Sequence, residues 1–221
     1  MPITSQTWEK FKNRIETYLK ADESDDEVED LFTPPVSLVE VEALEEEVGF
    51  KFPPDLKEVL TKYTSNVCFG LDLVDPETND TVFAGPTEGL FDFENIADEI
   101  QNWKEWNSWW EDESVERQQL LESIYSKNFI PIIYVGSGDK IGVNADNGNV
   151  IYWSHEDPFV HENLISGRVL GEDVADFLDK WSNVLFLGPE DSYLEKVYNF
   201  EKNQLDANSE IVQRLKSKYK L

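Results

Sequence analysis

The spacing of apolar residues predicts helices at both ends of the chain. Between Ser5 and Lys20, apolar residues recur every three or four positions, as on the buried stripe of an amphipathic helix. That stripe consists of Trp8, Phe11, Ile15, Tyr18 and Leu19. The stretch from Asp191 to Leu221 predicts one or two further helices, the last with Ile211, Val212, Leu215 and Tyr219 on its inner face.

A pair of helices is predicted next. Ser37 and Glu40 have the spacing of a capping box, in which each side chain satisfies a free backbone donor at a helix start. Gly49 supplies the left-handed residue that commonly ends a helix, and Pro53 with Pro54 fits the first turn of another. The expected buried positions are Leu38, Val41, Leu44 and Val48 in the first helix and Leu56, Val59, Leu60 and Tyr63 in the second.

The middle of the chain predicts strands. Short strands are expected at Cys68 to Val74 and at Thr81 to Phe83, separated by turn signals. The apolar, β-branched run from Phe129 to Val135 is typical of a strand buried on both faces. Asp146-Asn147-Gly148 is a hairpin signal, so the strands around it complete a meander of three. A helix follows, with Val174, Phe177, Leu178 and Trp181 facing inward.

A tryptophan-rich segment lies between the two groups of strands. Asp92 can begin a helix, and the eight residues from Trp103 to Trp110 include four tryptophans. At 100° per residue, Trp103, Trp106 and Trp110 share a face while Trp109 points elsewhere, so at least one indole is expected to be exposed or covered by another segment. Packing within the core, stacking on sugar rings and anchoring of a protein partner could each explain this segment. Another short helix follows, marked by Val115, Leu120, Leu121 and Ile124.

Charge and composition bear on the class of partner. The 221 residues carry 46 Asp and Glu against 19 Lys and Arg, a net charge of -27, yet 13% of the residues are aromatic. Such an aromatic content predicts a folded domain, because disordered acidic chains lack large side chains to bury. The acidic surface would repel nucleic acid and anionic membranes and attract a basic protein. The simpler alternative is that the acidic residues only maintain solubility.

Two local features limit the organisation and location of the chain. Seven of the nine residues from Asp22 to Asp30 are acidic, which favours an exposed connector. Cys68 is the sole cysteine, so no internal disulfide or cysteine-based metal cluster is possible, and we expect a buried, inert thiol.

The amino terminus lacks a basic region followed by an apolar run, and no stretch approaches the length of a membrane span. A cytoplasmic protein is expected.

Three motifs resemble ligand sites but fit other roles better. The segment from Gly136 to Asp139 lacks the lysine of a phosphate loop and leads into a strand, which favours a turn. The spacing of His155 and His161 does not match a zinc site, so a hydrogen-bonded His155 is favoured. The Asn144 to Gly148 segment lacks the alternating acidic positions of a calcium loop. We therefore expect no metal, cofactor or catalytic residue.

Several segments together resemble one known family. They are the run from Val41 to Gly49, Phe52-Pro53-Pro54, the run from Phe129 to Ile132, the Gly136 to Asp139 corner, the Asn147-Gly148 hairpin, His155 and Phe177-Leu178. In this order they resemble the SMI1/KNR4 family, also called the SUKH superfamily. The corresponding division is an amino-terminal helix with the acidic connector (1–35), an SMI1/KNR4-like domain (36–188) and a helical extension that packs on it (189–221).

The resemblance implies an α+β fold, with a central mixed or antiparallel sheet flanked by helices, and a binding role. Bacterial members resemble immunity proteins that neutralise a polymorphic toxin, often a nuclease, and fungal members coordinate wall synthesis with signalling. The leading hypothesis is a non-enzymatic immunity protein, and the alternatives are a scaffold in wall or polysaccharide metabolism and a carboxylate hydrolase. Candidate partner-binding residues are Trp103, Glu105, Trp106, Trp109, Trp110, Glu111, Asp112, Glu113, Asp139 and Asp157. The oligomeric state stays open.

Overall fold

The central element of the fold is an antiparallel sheet of four strands. The structure is a computed structural model that describes residues 3–22, 26–108, 113–155 and 165–221. The strands follow one another in chain order: β5 (Phe129–Tyr134), β6 (Lys140–Asn144), β7 (Val150–Trp153) and β8 (Val169–Gly171). The predicted three-stranded meander is confirmed, and β8 is a fourth strand that the sequence did not indicate. The central sheet is therefore antiparallel, and the fold is α+β.

Smaller strand pairs surround the sheet. They are β1 (Phe32–Thr33) with β2 (Asn66–Val67), β3 (Leu71–Val74) with β4 (Thr81–Ala84), and β9 (Tyr198–Asn199) with β10 (Gln204–Leu205). Leu90 bridges Val67 on one side and Ile133 on the other, so the β1–β2 pair continues the central sheet beyond β5. The β9–β10 hairpin lies in the segment for which only helices were predicted.

Eight α-helices are present in the described part of the chain. They are α1 (Ser5–Ala21), α2 (Leu38–Val48), α3 (Pro54–Lys62), α4 (Ile96–Ser108), α5 (Val115–Ile124), α6 (Val174–Asn183), α7 (Asp191–Val197) and α8 (Glu210–Tyr219). A short 3₁₀ helix occupies Val28–Leu31 in the acidic connector. The helices predicted from the apolar spacing are therefore confirmed, although α4 begins at Ile96, after a turn at Asp92.

The ends of α2 form as the sequence indicates, but its inner face differs. Glu40 N donates to Ser37 Oγ at 3.3 Å and Ser37 N donates to Glu40 Oε2 at 2.8 Å, which is the reciprocal pattern of a capping box. Gly49 ends the helix with a φ of 83°. The expected burial of Leu38 is wrong, because this first helical residue lies 50% exposed. Glu45 takes an inward position instead, where its carboxylate pairs with Lys51 and Lys57.

The amino-terminal helix packs on the rest of the protein. Its predicted stripe is buried, and the Trp8 ring stacks on Tyr63 with centroids 4.9 Å apart. Phe11 meets Phe186 edge-on at 5.6 Å. Arg14 Nη1 donates to Ser182 Oγ at 2.6 Å, which fixes α1 against α6. One hydrophobic cluster therefore includes side chains from α1, the central sheet, α6 and α8.

The prediction of a buried cysteine is wrong. Cys68 is exposed because the chain around it is extended, so alternate side chains face inward and Cys68 faces out between buried Val67 and Phe69. Its Sγ donates to Thr87 O at 3.2 Å. Partial burial, together with the charge of Asp92, raises the pKa of the thiol, so the protonated, less reactive form is favoured.

We expect Phe11→Ala to destabilise the whole protein and not only α1. Phe11 is 2% exposed and belongs to the main hydrophobic cluster, so truncation of its side chain should lower the free energy of unfolding by about 3–5 kcal/mol. Urea unfolding monitored by tryptophan fluorescence measures this loss. Gln6→Ala, at an exposed position of the same helix, is the control and should have a much smaller effect. Equal stability of the two variants would show that α1 contributes little to the core.

Candidate partner-binding site

The tryptophan-rich segment builds a second, smaller hydrophobic cluster between α4, α5 and the sheet. We call it the aromatic cluster: it contains Trp103, Leu121, Tyr125, Phe129, Ile151 and Trp153, with Trp106 and Val169 packed at its edge. Trp103 is 1% exposed, and its ring centroid lies 4.6 Å from that of Phe129 and 5.4 Å from that of Trp153. Its Nε1 donates to Ser126 O at 3.2 Å. Trp103 therefore serves core packing.

Trp106 lies on α4 about one helical turn after Trp103, and its side chain is only partly buried. Its ring packs edge-on against Trp153 at 4.8 Å and is partly accessible. The neighbouring Glu105 is exposed and accepts a hydrogen bond from Gln101 Nε2 at 3.1 Å. Glu113 is also exposed and pairs with Arg117 at 3.4 Å. The structure thus presents two surface carboxylates on α4 and just before α5, with a half-buried indole beside Glu105.

Five of the candidate residues lie outside the described residues. They are Trp109, Trp110, Glu111, Asp112 and Asp157. Their part in partner binding stays a prediction. His161 also falls outside the described residues.

Asp139 is buried, and its carboxylate accepts hydrogen bonds from residues at and just after the end of β7. Its carboxylate accepts hydrogen bonds from Tyr152 Oη at 2.6 Å, from Ser154 Oγ at 3.1 Å and from the backbone N of His155 at 2.8 Å. The His155 Nδ1 atom lies 2.7 Å from Oδ1 of the same carboxylate. Burial opposes ionisation, but the hydrogen bonds from Tyr152, His155 and Ser154 outweigh it and lower the pKa of Asp139.

The motifs that resembled ligand sites have structural roles. Residues 136–138 form a turn that leads into β6, so the prediction of a turn is confirmed. His155 is hydrogen-bonded through its ring, also as expected. The Asn144 to Gly148 segment forms the plain hairpin between β6 and β7. Within the described residues, no group of three or more His, Cys, Asp or Glu side chains is arranged to hold a metal ion.

The carboxylates of Asp55 and Asp146 have shifted pKa values and line the same groove. Burial, opposed by backbone hydrogen bonds, raises the pKa of Asp55, and side-chain hydrogen bonds from Ser126 and Asn128 lower that of Asp146. The Asp55 oxygens accept from Leu56 N at 3.0 Å and Val174 N at 2.7 Å. Those of Asp146 accept from Ser126 Oγ at 2.6 Å and Asn128 Nδ2 at 3.0 Å. Each of the four oxygens thus accepts a hydrogen bond from the surrounding fold.

The family of the chain follows from its sequence match. The SMI1/KNR4 family model (SUKH-1) matches residues 35–180. The chain belongs to the SMI1/KNR4 family. The SMI1/KNR4 match extends from the turn before α2 into α6 and includes the central sheet and the aromatic cluster, while α1, α7 and α8 lie outside it. A comparison with curated proteins finds no match.

Family membership bears on the class of partner. It indicates a protein partner, and it does not identify that partner. None of the helices in the described ranges is long and apolar enough to cross a membrane.

We expect the Asp139 network to make stability depend on pH. The pKa of Asp139 in the folded protein lies below its unfolded-state value of about 3.9, so its ionised form stabilises the fold above that pH. This contribution is lost as the pH falls through the folded-state pKa. Asp139→Asn should therefore lower the free energy of unfolding by about 1–3 kcal/mol at neutral pH. In acid, the free energies of unfolding of the variant and the wild type should become more similar.

Urea unfolding at a series of pH values from neutral into the acid range measures this effect. Asp98→Asn, a change of the same chemistry at an exposed position of α4, is the matched control and should alter stability little at any pH. A variant at Asp139 as stable as the wild type at neutral pH would contradict the role assigned to the network.

Proposed function

We propose that this protein is a non-enzymatic immunity protein of the cytoplasm that binds and neutralises a cognate polymorphic toxin. The observation that carries the proposal is the family match over residues 35–180, since bacterial SMI1/KNR4 proteins act as immunity proteins. A net charge of -27 makes a basic, nuclease-type toxin domain the fitting partner. Such a domain presents a cationic cleft to phosphate, and an acidic protein can occupy that cleft.

The contact surface in this proposal includes Glu105, Trp106 and Glu113. The two exposed carboxylates would attract the cationic partner, and the partly accessible indole would supply buried apolar contact once the partner covers it. Trp103 supports this surface from within, since it is 1% exposed, and Asp139 is 4% exposed just before β6, so the proposed contact does not include it. Trp103 fixes the position of Trp106, whose ring stacks on it at a centroid distance of 5.1 Å.

Charge on the exposed surface determines how fast such a complex forms. Opposite charges on two proteins steer their encounter and can raise association rates by a factor of about 10–1000 at low salt. Salt screens this attraction over roughly 8–10 Å at ordinary ionic strength. The proposed mechanism therefore requires association that is fast and sensitive to salt.

We expect salt to slow association with the cognate toxin domain. Where the neighbouring gene encodes a large, modular, secreted protein, the probe is the variable carboxy-terminal domain of that protein in a catalytically inactive form. Stopped-flow measurement from roughly 50 to 500 mM NaCl should show the association rate falling by about tenfold or more. A rate that stays flat over this range would remove the electrostatic part of the proposal, and absence of binding would remove the immunity role.

A charge reversal tests the surface on α4. Glu105→Lys should lower the association rate by about threefold or more, because a change in rim charge acts mainly on the rate of encounter. Glu9→Lys makes the same change in net charge at an exposed position of α1 and is the matched control. Equal slowing by the two variants would show that overall charge, and not this surface, guides the partner.

A regulatory scaffold in wall or polysaccharide synthesis is the second hypothesis, but the observations on this molecule do not favour it. It predicts that the protein co-purifies with synthesis or signalling proteins and not with a toxin. Neutralisation of the toxin in a co-expression assay separates the two hypotheses.

A further inference from the structure

An acidic groove with an apolar side is lined by residues that do not belong to the aromatic cluster. Its volume is about 480 Å³, and it forms where the start of α3, the β6–β7 hairpin and the turn between β8 and α6 meet. Pro53, Pro54 and Ala145 supply its apolar lining, and Asp146, Glu172 and Asp173 supply acidic lining together with Asp55. No lysine or arginine is among the described residues that line it. The described lining of the groove therefore combines an apolar surface with charged side chains that are all acidic.

The carboxylates of the groove are held in place by the fold. Hydrogen bonds from Ser126 and Asn128 lower the pKa of Asp146, so it stays ionised at neutral pH. Asp173 is the N-cap of α6 and accepts a hydrogen bond from Asp176 N at 2.8 Å.

Glu172 differs from these residues. It is exposed, and its side chain has no hydrogen bond or ion pair with the described residues. A ligand can therefore pair with Glu172 without breaking an internal contact.

This combination fits the side chain of a basic amino acid. Lysine and arginine carry an aliphatic stem that packs on apolar surface and a cationic head that seeks carboxylates. A metal ion fits less well, because metal sites need several oxygen atoms converging on one point, and no such group occurs in the described ranges. The proline and alanine side would be of no use to a metal ion but would contact an aliphatic stem.

We propose that this groove receives one lysine or arginine side chain from the basic protein partner. The inference rests on the proposed function for the identity of the partner, and it adds a second contact point outside the α4 surface. The stem lies along Pro53, Pro54 and Ala145, and the cationic head pairs with Glu172 between the fixed charges of Asp146 and Asp173. A side chain held in this way would help to set the orientation of the partner.

Binding of single amino-acid amides tests the groove without the partner. The probes are N-acetyl-arginine amide and N-acetyl-lysine amide, with N-acetyl-citrulline amide as the neutral analogue of arginine. In ¹⁵N NMR titrations, at least one cationic probe should cause saturable shifts at the backbone amides of Ala145, Gly148 and Glu172. The citrulline probe should cause none. Shifts spread over many acidic positions without saturation, or no shifts, would overturn the proposal.

Two charge variants sharpen the test. Glu172→Lys should weaken binding of the cationic probe by about fivefold or more, since it replaces attraction by repulsion at the head group. Glu94→Lys, at an exposed position that does not line the groove, is the matched control and should bind as the wild type does. Equal weakening by both variants would show binding to overall charge and would also overturn the proposal.

The same variants separate this inference from the proposed function. If the groove binds the cationic probe and the toxin domain does not bind the protein, the proposed groove site is supported and the proposed immunity role is rejected. If the toxin domain binds with the same affinity to Glu172→Lys and to the wild type, the immunity role is supported and the proposed use of the groove is rejected.

Discussion

Burial of β5 on both faces is the constraint on which the rest of the structure depends. Phe129, Ile130, Ile132 and Ile133 are 0% exposed, and an apolar strand of this kind needs cover above and below. Its isoleucines Ile130, Ile132 and Ile133 belong to the main hydrophobic cluster, whereas Phe129 belongs to the aromatic cluster. The helices α1 and α6 complete the main cluster, and α4 with α5 completes the aromatic one. The tryptophans of α4 are therefore explained first by the need to cover this strand.

The parts of this fold that the sequence predicts are those that depend on local chemistry. The capping box at Ser37 and the inner stripe of α1 involve residues within a few positions of one another, so spacing alone reveals them. The errors have different causes. Glu45 lies inward because Lys51 and Lys57, which lie beyond the end of its helix, reach its carboxylate. Cys68 faces outward because it alternates with buried Val67 and Phe69 in the extended chain, so here the local alternation and not the apolar character of the side chain decides burial.

The candidate site was partly predictable for the same reason. Glu105 and Trp106 lie on α4, a helix that the apolar spacing predicts, whereas nothing in the local sequence indicates the burial of Asp139. Its burial depends on Tyr152, which pairs with it across the β6–β7 strands. The groove beside Glu172 could not be predicted, because the residues that line it are up to about 120 positions apart and no motif joins them.

The carboxylates fall into two groups, and this division bears on catalysis. Buried ones such as Asp55, Asp75 and Asp139 have their oxygen atoms occupied by donors: Asp75 binds Arg214, and Asp55 joins the starts of α3 and α6. Two carboxylates with shifted pKa values in one groove often mark an active site. Here the shifts of Asp55 and Asp146 accompany burial and hydrogen bonds that hold backbone and side chains in place. Among the acidic residues that line the groove, Glu172 has a side chain without such hydrogen bonds. This side chain is exposed, so its negative charge can attract a cation. Carboxylates with partners inside the protein and exposed carboxylates on its surface fit the proposed binding of a basic partner.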